Sequence, residues 1–396
     1  MIRFVTRPIE LVRVLRTCLE GELQMSKLVL FMAAIAVSQA SLACGTTAEG
    51  DPAAFEPGEA RFSRGVNFGN RLDAPSEGEW GPALRESDFA TVAARGFDHV
   101  RVPVRFSGNA SMTAPFTIDT ELLQRVDWAL AQAAENGLSV VLAFTYYDQL
   151  MREPETHWGR FIALWEQIAL HYQTAPAQLA FELLSEPNGA LDAQYNELVA
   201  QTVAQIRLSN PERQIIVNSA GFARTLTLAG LVLPPDPNVV ASVHVYAPEP
   251  FTFQGAPWAG AQYGTTGVVF PGPPETPLEP VAAALASDTV KTWFEQYNTL
   301  PTAENPAGPS AIDATVAAIA TFQREQGHPV YVGEIGTTIH ADETSRFNFL
   351  SLLRERLEAE SLGWAVWDNN GGDMAVLGAG AGTWRDSSVD ALIPME

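Results

Sequence analysis

Cysteine is almost absent from this chain of 396 residues, and both examples, Cys18 and Cys44, precede the part with globular character. The sequence after residue 44 therefore excludes a disulfide, a cysteine nucleophile and a thiolate metal site. Basic residues are also scarce, since 24 Lys and Arg stand against 46 Asp and Glu, for a formal net charge of −22. Because clusters of Lys and Arg neutralise phosphates, we expect neither nucleic acid nor an anionic membrane surface as a partner.

Common cofactor and catalytic motifs are missing too. The sequence has no Gly-x-Gly-x-x-Gly or Walker sequence for a nucleotide, no Gly-x-Ser-x-Gly elbow and no His-Glu-x-x-His. Residues 368–373 are calcium-like in composition but lack the spacing and the terminal Glu of a calcium loop. We therefore expect no cofactor and no metal ion.

The N-terminal segment indicates export. Met25 to Ala43 has the parts of a secretory signal, with Lys27 before an apolar run over residues 28–37 and small residues after it. A run of about ten apolar residues is too short to span a bilayer as a mature helix. We interpret residues 1–44 as an upstream extension plus this signal, and residues 45–60, rich in Gly, Ala, Pro and Glu, as a flexible linker.

Cys44 leaves two alternatives open for the mature protein. The preceding Ser41-Leu42-Ala43 resembles a bacterial lipoprotein box, although Leu lies at the second rather than the third position before the Cys. Either Cys44 carries a lipid anchor, or the protein is freely secreted. Both alternatives place it outside the cytoplasm of a bacterium, as a secreted, periplasmic or outer-membrane-anchored protein.

The rest of the chain alternates strand-like runs with segments of helical period, the pattern of repeated βα units. The predicted strands lie near Gly65–Gly69, His99–Val104, Ser139–Phe144, Leu179–Leu184, Gln214–Val217, Val239–Val245, Val330–Gly333 and Gly363–Trp367. The clear helices lie near Glu86–Arg95, Thr120–Asn136, Trp158–Tyr172, Asp192–Ser209, Ser310–Gln326 and Glu343–Glu360. Eight parallel strands with intervening helices predict a single α/β domain over residues 61–396, a (β/α)8 TIM barrel.

Two segments are harder to assign. Gly221–Gly230 is interpreted as a short helix and Val281–Gln296 as a further one. Between Pro248 and Pro309 the chain is long and irregular, with two Pro-rich stretches. An insertion of this length after a barrel strand is either a functional loop or a solvated excursion, and both interpretations stay open.

Two of the strand-like runs carry a glutamate where the run breaks at Gly or Pro. Glu186 follows the fourth predicted strand and Glu334 the seventh, on nearly opposite sides of an eight-stranded ring. Their side chains can therefore face each other across the mouth of the barrel. Retaining glycoside hydrolysis requires two carboxyl groups about 5–5.5 Å apart, one an ionised nucleophile and the other an acid of raised pKa.

The order of the motifs resembles a known family. The segments that carry the resemblance are Arg64 to Asn70, Val100 to Pro103, Phe181 to Asn188, His244 to Tyr246, Val332 to Glu334 and Trp364 to Trp367. In this order they are similar to successive signatures of glycoside hydrolase family 5, the cellulase-type retaining (β/α)8 glycosidases. The resemblance runs from about Phe62 to Trp367.

The resemblance implies a role for each matching residue. Glu186 matches the general acid/base and Glu334 the nucleophile. Arg101 matches the arginine that pairs with the nucleophile and keeps it ionised, which suits the effect of a guanidinium on a carboxylate pKa. The other matches are His244 beside the acid/base, Tyr246 as a donor to the nucleophile and Trp367 as a stacking floor for the sugar. Trp364 is expected to be a core residue.

Three positions, in two segments, depart from the family pattern. Ser185 stands where the family has Asn, whose amide contacts the 2-hydroxyl of the sugar, and such a contact is worth several kcal/mol in the transition state. Thr145 and Tyr146 stand where the third strand of the family ends in two His. Tyr146 is a candidate to supply a hydroxyl in place of an imidazole nitrogen.

The leading hypothesis is an exported, monomeric, retaining glycosidase that acts on a β-linked oligo- or polysaccharide, with endo-acting β-1,4-glucanase activity. One alternative is a glycan-binding protein with weakened catalysis, motivated by Ser185, Thr145 and Tyr146. The other keeps the chemistry and changes the glycan to mannan, xyloglucan or β-1,3-glucan.

Overall fold

Eight short parallel strands close into a barrel in which each strand pairs with the next along the chain and the last pairs with the first. The computed structural model describes residues 62–377 and 384–395. The strands are β1 Arg64–Asn67, β2 His99–Val104, β3 Ser139–Phe144, β4 Leu179–Glu182, β5 Ile215–Asn218, β6 Val239–Val245, β7 Val330–Ile335 and β8 Gly363–Val366. The predicted (β/α)8 barrel is confirmed. The predicted signal, the linker and Cys44 lie outside the described residues.

The strands are rich in Val, Ile and Leu because a parallel strand in a barrel is covered on both faces. Two strand ends differ from the prediction in a way that affects the site. Strand β4 ends at Glu182, so Glu186 lies four residues past it in a loop, whereas β7 continues through Glu334. The register of β7 shifts against both neighbours close to Gly333. Such irregularities re-aim side chains near active sites.

Helical segments surround the barrel. The α-helices are α1 Glu86–Arg95, α2 Thr120–Glu135, α3 Asp148–Arg152, α4 Pro154–His171, α5 Tyr195–Arg207, α6 Glu249–Thr252, α7 Ala282–Leu285, α8 Asp288–Tyr297, α9 Pro309–Gln326, α10 Glu343–Ala359 and α11 Ser388–Leu392. Short 3-10 turns cover Phe106–Asn109, Gly189–Ala193, Thr225–Gly230 and Ala261–Tyr263. Among the residues described, no helix is long and apolar enough to cross a membrane.

The predicted helix bounds hold within a few residues where local signals are strong. Helix α1 ends at Gly96, which adopts the left-handed conformation that favours glycine after a helix. Helix α4 begins at Pro154, earlier than predicted, because proline suits the first turn. The short helix predicted over Gly221–Gly230 is present in its second half, as the 3-10 turn Thr225–Gly230, and Gly221 and Phe222 before it are left-handed. The helix predicted over Val281–Gln296 is present as two pieces, α7 and α8.

Polar side chains are buried inside the barrel below the site. Within the barrel, His99 is fully buried, with Nε2 2.9 Å from the Tyr331 hydroxyl and Nδ1 on the Asp98 carboxylate. The hydrogen bond between His99 and Tyr331 links β2 to β7 across the barrel. A buried polar atom that loses its partner costs about 1–3 kcal/mol.

Tyr331→Phe is therefore expected to lower the free energy of unfolding by about 1–3 kcal/mol, because the His99 Nε2 atom loses its partner. Tyr195→Phe is the matched control. The Tyr195 hydroxyl is also buried but has no hydrogen-bond partner within the described part of the chain, so its removal should not destabilise the protein. Urea denaturation measures both changes, and equal losses in the two variants would refute the importance of the His99 contact.

Candidate active site

The predicted site residues come together at the carboxyl end of the strands, the face where barrel loops build active sites. A cavity of about 1590 Å³ is lined by Thr145, Tyr146, Ser185, Glu186, His244, Tyr246, Glu334 and Trp367, together with other rim residues. Arg101 lies beneath this cavity and is fully buried. The strand ends thus gather residues that are more than 200 positions apart in the sequence, such as Arg101 and Glu334.

Glu186 and Glu334 face each other with His244 between them. The His244 Nδ1 atom is 2.9 Å from Glu186 Oε1 and 3.4 Å from Glu334 Oε2. One ligand atom from each of the three residues lies within 4.8 Å of the other two. The two carboxylates are therefore near the separation of about 5–5.5 Å that retaining glycosidases use, and well short of the roughly 6.5–9.5 Å of inverting enzymes.

The two carboxylates differ in exposure. The Glu186 side chain is 40% exposed and that of Glu334 is 9% exposed. Glu186 also has a left-handed backbone, with φ of 50°. A non-glycine residue in this region is strained, and such strain concentrates at functional sites.

Glu334 is held by two donors from neighbouring strands. Arg101 Nη1 donates to Oε1 at 2.7 Å, and the Tyr246 hydroxyl donates to Oε2 at 2.7 Å. Burial raises the pKa of Glu334, whereas His244, Arg101 and the Tyr246 hydroxyl oppose the rise and Glu186 adds to it. Arg101 thus acts in the direction predicted from the sequence, but burial outweighs it.

At His244 the neighbouring charges outweigh the effect of burial on the pKa. Burial lowers the pKa of its imidazole, but the charges of Glu334 and Glu186 and the hydrogen bond to Glu186 more than offset this, so the pKa is raised. A proton on the imidazole is therefore shared between two carboxylates. His244 thus links the two glutamates through a single nitrogen atom.

Glu182 is a third carboxylate that the sequence analysis missed as a site residue. It forms a bidentate pair with Arg101, with Nε to Oε2 at 2.6 Å and Nη2 to Oε1 at 2.7 Å, and it accepts from Asn218 at 2.6 Å. Burial opposes its ionisation, but Arg101 and the other donors lower the pKa of Glu182. A signal was available, because a glutamate within an apolar run of a central strand needs a buried partner.

The two departures from the family pattern have different structural settings. The Ser185 hydroxyl accepts a hydrogen bond from Arg101 Nη2 at 2.9 Å, so it belongs to the same polar network. Tyr146 is left-handed, with φ of 51°, and packs edge-on against Trp80 with ring centroids 5.3 Å apart. The Arg105 guanidinium lies 4.7 Å from the Tyr146 ring and 4.9 Å from the Trp80 ring. Tyr146 lines the cavity, and because a tyrosine hydroxyl is protonated at neutral pH it can donate a hydrogen bond there.

Aromatic side chains line the remaining walls of the cavity. Gly69 lies against Trp367, since a Cβ there would come within 2.5 Å of the indole. Trp364 is fully buried, as predicted. The irregular insertion after β6 contributes Phe253 and Trp258 to the cavity, and these rings continue a row that begins at Tyr246, with centroids 5.0 and 5.2 Å apart.

Asp368, next to Trp367, is a buried acid at the cavity wall. Its Oδ2 accepts from Asn70 at 3.2 Å, and its Oδ1 lacks a donor among the residues that the structure describes. Burial raises the pKa of Asp368 to about 7. The folded protein therefore retains a proton that the unfolded chain loses near pH 4.

Asp368→Asn is expected to raise stability more at pH 8 than at pH 5. Between about pH 4 and pH 7 the wild-type folded state binds the extra proton, so its stability falls as pH rises through this window and then levels off. The Asn variant lacks this penalty, which is on the order of 2–4 kcal/mol at pH 8. Thermal unfolding at both pH values measures it, with Asp373→Asn as the control for lost charge in the same loop. A gain that is equal at both pH values would contradict the assignment.

Known proteins with similar sequences are glycoside hydrolases of one family. The family model "Cellulase (glycosyl hydrolase family 5)" matches residues 62–373. Endoglucanase H of Acetivibrio thermocellus is 27% identical over 355 residues, which are 88% of this chain and 35% of that protein. The chain thus spans about a third of the length of this curated relative.

Solved structures agree with the sequence match. Endoglucanase Cel5A from the hyperthermophilic Thermotoga maritima is 30% identical, with a TM-score of 0.73, over 84% of this chain and 97% of that one. A structure of Thermotoga maritima Cel5A in complex with mannotriose is 29% identical, with a TM-score of 0.71, over the same shares of both chains.

Proposed function

Because the chain belongs to the cellulases of glycosyl hydrolase family 5 and is thus a glycosidase, we propose that it is a retaining, endo-acting β-1,4-glucanase. The observation that carries the proposal is the pair of carboxylates bridged by His244, at 2.9 Å from Glu186 and 3.4 Å from Glu334. This spacing suits a double displacement at one sugar carbon.

The proposed reaction assigns a separate task to each glutamate. Glu334, held by Arg101 and Tyr246, attacks the anomeric carbon while Glu186 donates a proton to the leaving oxygen. The glycosidic bond breaks and a covalent glycosyl ester forms on Glu334. Glu186 then takes a proton from water, the water oxygen attacks the same carbon, and the ester bond breaks. Two inversions return the β configuration.

Exposure supports this division of roles. The acid/base must exchange protons with water and reach the leaving group, and Glu186 has the more exposed side chain. The nucleophile must keep one geometry, and Glu334 is buried with two hydrogen bonds fixing its oxygens. The Tyr246 and Arg101 donors also stabilise the carboxylate charge that returns when the ester is cleaved.

The shape of the cavity supports action inside a polymer. Its volume of about 1590 Å³ exceeds the roughly 300–1,000 Å³ that is typical of a small-molecule pocket. Aromatic side chains that line the cavity, among them Trp80, Trp367 and Trp258, offer stacking surfaces for several sugar rings.

The two alternatives have specific observations in their favour. The Ser185 hydroxyl accepts a hydrogen bond from Arg101, and the Tyr146 ring packs against Trp80. Both side chains thus differ in their contacts from those that they replace, as expected of a weakened enzyme that binds glycan. Thermotoga maritima Cel5A has been crystallised with mannotriose and with cellobiose, which keeps mannan beside glucan as a substrate class.

Product analysis against soluble β-1,4-glucan, β-1,3-glucan, xyloglucan, mannan and aryl-glycosides tests the proposal. We expect a rapid loss of viscosity of soluble β-1,4-glucan, with oligosaccharides released as the β-anomer by proton NMR. Exclusive turnover of mannan would show that the substrate is mannan rather than glucan. An initial α-anomer would refute the retaining mechanism. Binding of glycan by calorimetry without products would favour the weakened enzyme.

We also propose that the protein is exported, because a polysaccharide substrate is too large to enter the cell. Met25–Ala43 supplies the secretory signal, and Cys44 supplies a lipid site in the anchored form. Labelling with palmitate in a bacterial host distinguishes the two forms. Label that is lost in Cys44→Ala identifies the anchor, and unlabelled protein in the medium identifies free secretion.

A further inference from the structure

The acid pair and its bridging imidazole also have the chemistry of a metal site. Glu186, His244 and Glu334 each offer one possible ligand atom, and the three atoms lie within 4.8 Å of one another. Two carboxylate oxygens and one imidazole nitrogen are ligands that Zn²⁺ accepts. Three protein ligands with a fourth position open to the cavity is the arrangement of catalytic zinc sites.

Two of the three distances between the possible ligand atoms are near those of a zinc site. Ligands at about 2.0–2.1 Å in a tetrahedron are about 3.3 Å apart. The His244 Nδ1 atom is 2.9 Å from Glu186 and 3.4 Å from Glu334, which leaves the distance between the two carboxylates as the one to be shortened. Glu186 is the partner that can move, because its side chain is 40% exposed.

The surrounding charges favour a cation. Three carboxylates, Glu182, Glu186 and Glu334, lie in a network with one guanidinium, Arg101, so negative charge is in excess when His244 is neutral. Glu182 takes both remaining sides of the Arg101 guanidinium in a bidentate pair, which limits its repulsion of a metal ion. Arg101 and Tyr246 also orient Glu334, as outer-shell groups orient metal ligands.

The far side of His244 is compatible with metal binding. Its Nε2 atom is buried and has no partner among the described residues, and the buried Ser242 hydroxyl has none either. Both atoms lie 3.2 Å from the position that a Cβ on Gly333 would take. With Nδ1 bound to a metal, the imidazole proton resides on Nε2, where no donor among the described residues opposes it.

We infer that Zn²⁺, and ions with the same ligand preference such as Co²⁺, bind between Glu186, His244 and Glu334 and compete with sugar for the cleft. The ion plays no part in turnover, because it occupies the atoms that react with the sugar. Only the competition rests on the proposed function. Binding of the ion does not.

Calorimetry with ZnCl₂ on the full chain tests binding without any need for turnover. We expect one saturable site that is weakened at least about tenfold in Glu186→Gln, a change that keeps the size of the side chain and removes its charge. Co²⁺ should give visible absorption bands of a four-coordinate ion in the wild type, and these should disappear in His244→Gln. MgCl₂ should bind without saturation, because Mg²⁺ prefers six oxygen ligands.

Two exposed histidine and carboxylate pairs provide matched controls. His340 lies 4.0 Å from Asp373 at the rim, and His171 lies 2.9 Å from Asp127 on the outer surface. His340→Ala and His171→Ala should leave the zinc affinity unchanged. An unchanged affinity in Glu186→Gln and His244→Gln, or a loss only in a control, would overturn the inference even if the protein is an active glucanase.

Inhibition kinetics then separate the two proposals. Zn²⁺ should raise the apparent KM for glycan and leave kcat unchanged, and a chelator should restore the rate. Zinc binding without any glycan turnover would refute the proposed function and leave the metal site standing. Glycan turnover with purely noncompetitive inhibition would place the ion elsewhere and overturn the inference.

Discussion

Glu334→Ala is expected to lose turnover on the order of 10⁴-fold or more, as other enzymes do when a covalent nucleophile is removed. The physical reason is that no other group in the described site can take its place. Glu186 is 40% exposed on the opposite side, and Glu182 is tied to Arg101 by two hydrogen bonds. Initial rates on a dinitrophenyl β-cellobioside measure the loss, because this leaving group needs no protonation.

Azide distinguishes the roles of the two glutamates. In Glu334→Ala the deleted side chain leaves room for azide on the face of the sugar opposite the leaving group, so rescue should yield the α-glycosyl azide, a single inversion. In Glu186→Ala the ester on Glu334 still forms, and azide should attack it to yield the β-glycosyl azide. The two variants are therefore controls for each other.

The identity of the azide product decides the assignment. The same anomer from both variants would contradict the separate roles, and an exchange of the two anomers would reverse them. Activity of Glu334→Ala near that of the wild type would exclude Glu334 as the nucleophile. Circular dichroism and thermal unfolding establish that each variant is folded.

Arg101→Met is expected to lower both stability and activity strongly. It leaves Glu182, which is fully buried, with Asn218 as its remaining side-chain partner, and an unpaired buried charge costs about 3–5 kcal/mol. It also removes one of the two donors that hold Glu334, which should reduce kcat about 10²–10³-fold.

The double variant Arg101→Met/Glu182→Leu separates the two effects. Replacing both members of a buried ion pair with apolar residues is often neutral for stability, so most of the lost free energy of unfolding should return. Activity should stay low, because Glu334 still lacks its donor. Arg324→Met is the control for an exposed pair, since Arg324 and Glu360 are 62% and 44% exposed, and it should change stability by about 1 kcal/mol or less.

Chemical denaturation and kinetics on the same preparations test this pair of variants. A double variant as unstable as Arg101→Met would show that Arg101 stabilises the barrel by packing rather than by pairing with Glu182. A double variant with restored activity would show that Arg101 acts on the site only through the fold.

The helices and strands with strong local signals were predictable in detail. Strands β2, β3 and β6 have the predicted bounds, and each contains at least two Val residues, which favour strands. The segment from Ala220 to Gly230 was not, since its left-handed turn at Gly221 and Phe222 is held by the carbonyl of Pro187, in another loop. A contact between two distant loops has no signature in local sequence.

Some residues of the candidate site were likewise predictable from the sequence, and others were not. Glu186 and Glu334 were recognisable because each interrupts an apolar run at a chain-breaking residue, and the eightfold βα alternation implied that the two runs end at one face. Glu182 escaped notice because its importance depends on Arg101, 81 positions away, reaching it at 2.6 Å.

By itself, the sequence determined the barrel and which two acids face each other, because hydrophobic period and chain breaks are local properties that repeat along the chain. The family followed from the resemblance of the ordered motifs. Only the tertiary structure decided how those acids are held: His244 between both, Arg101 divided between Glu182 and Glu334, and Ser185 within that network. Burial, charge balance and pKa depend on distances across the barrel, and these exist only once all eight strands have closed.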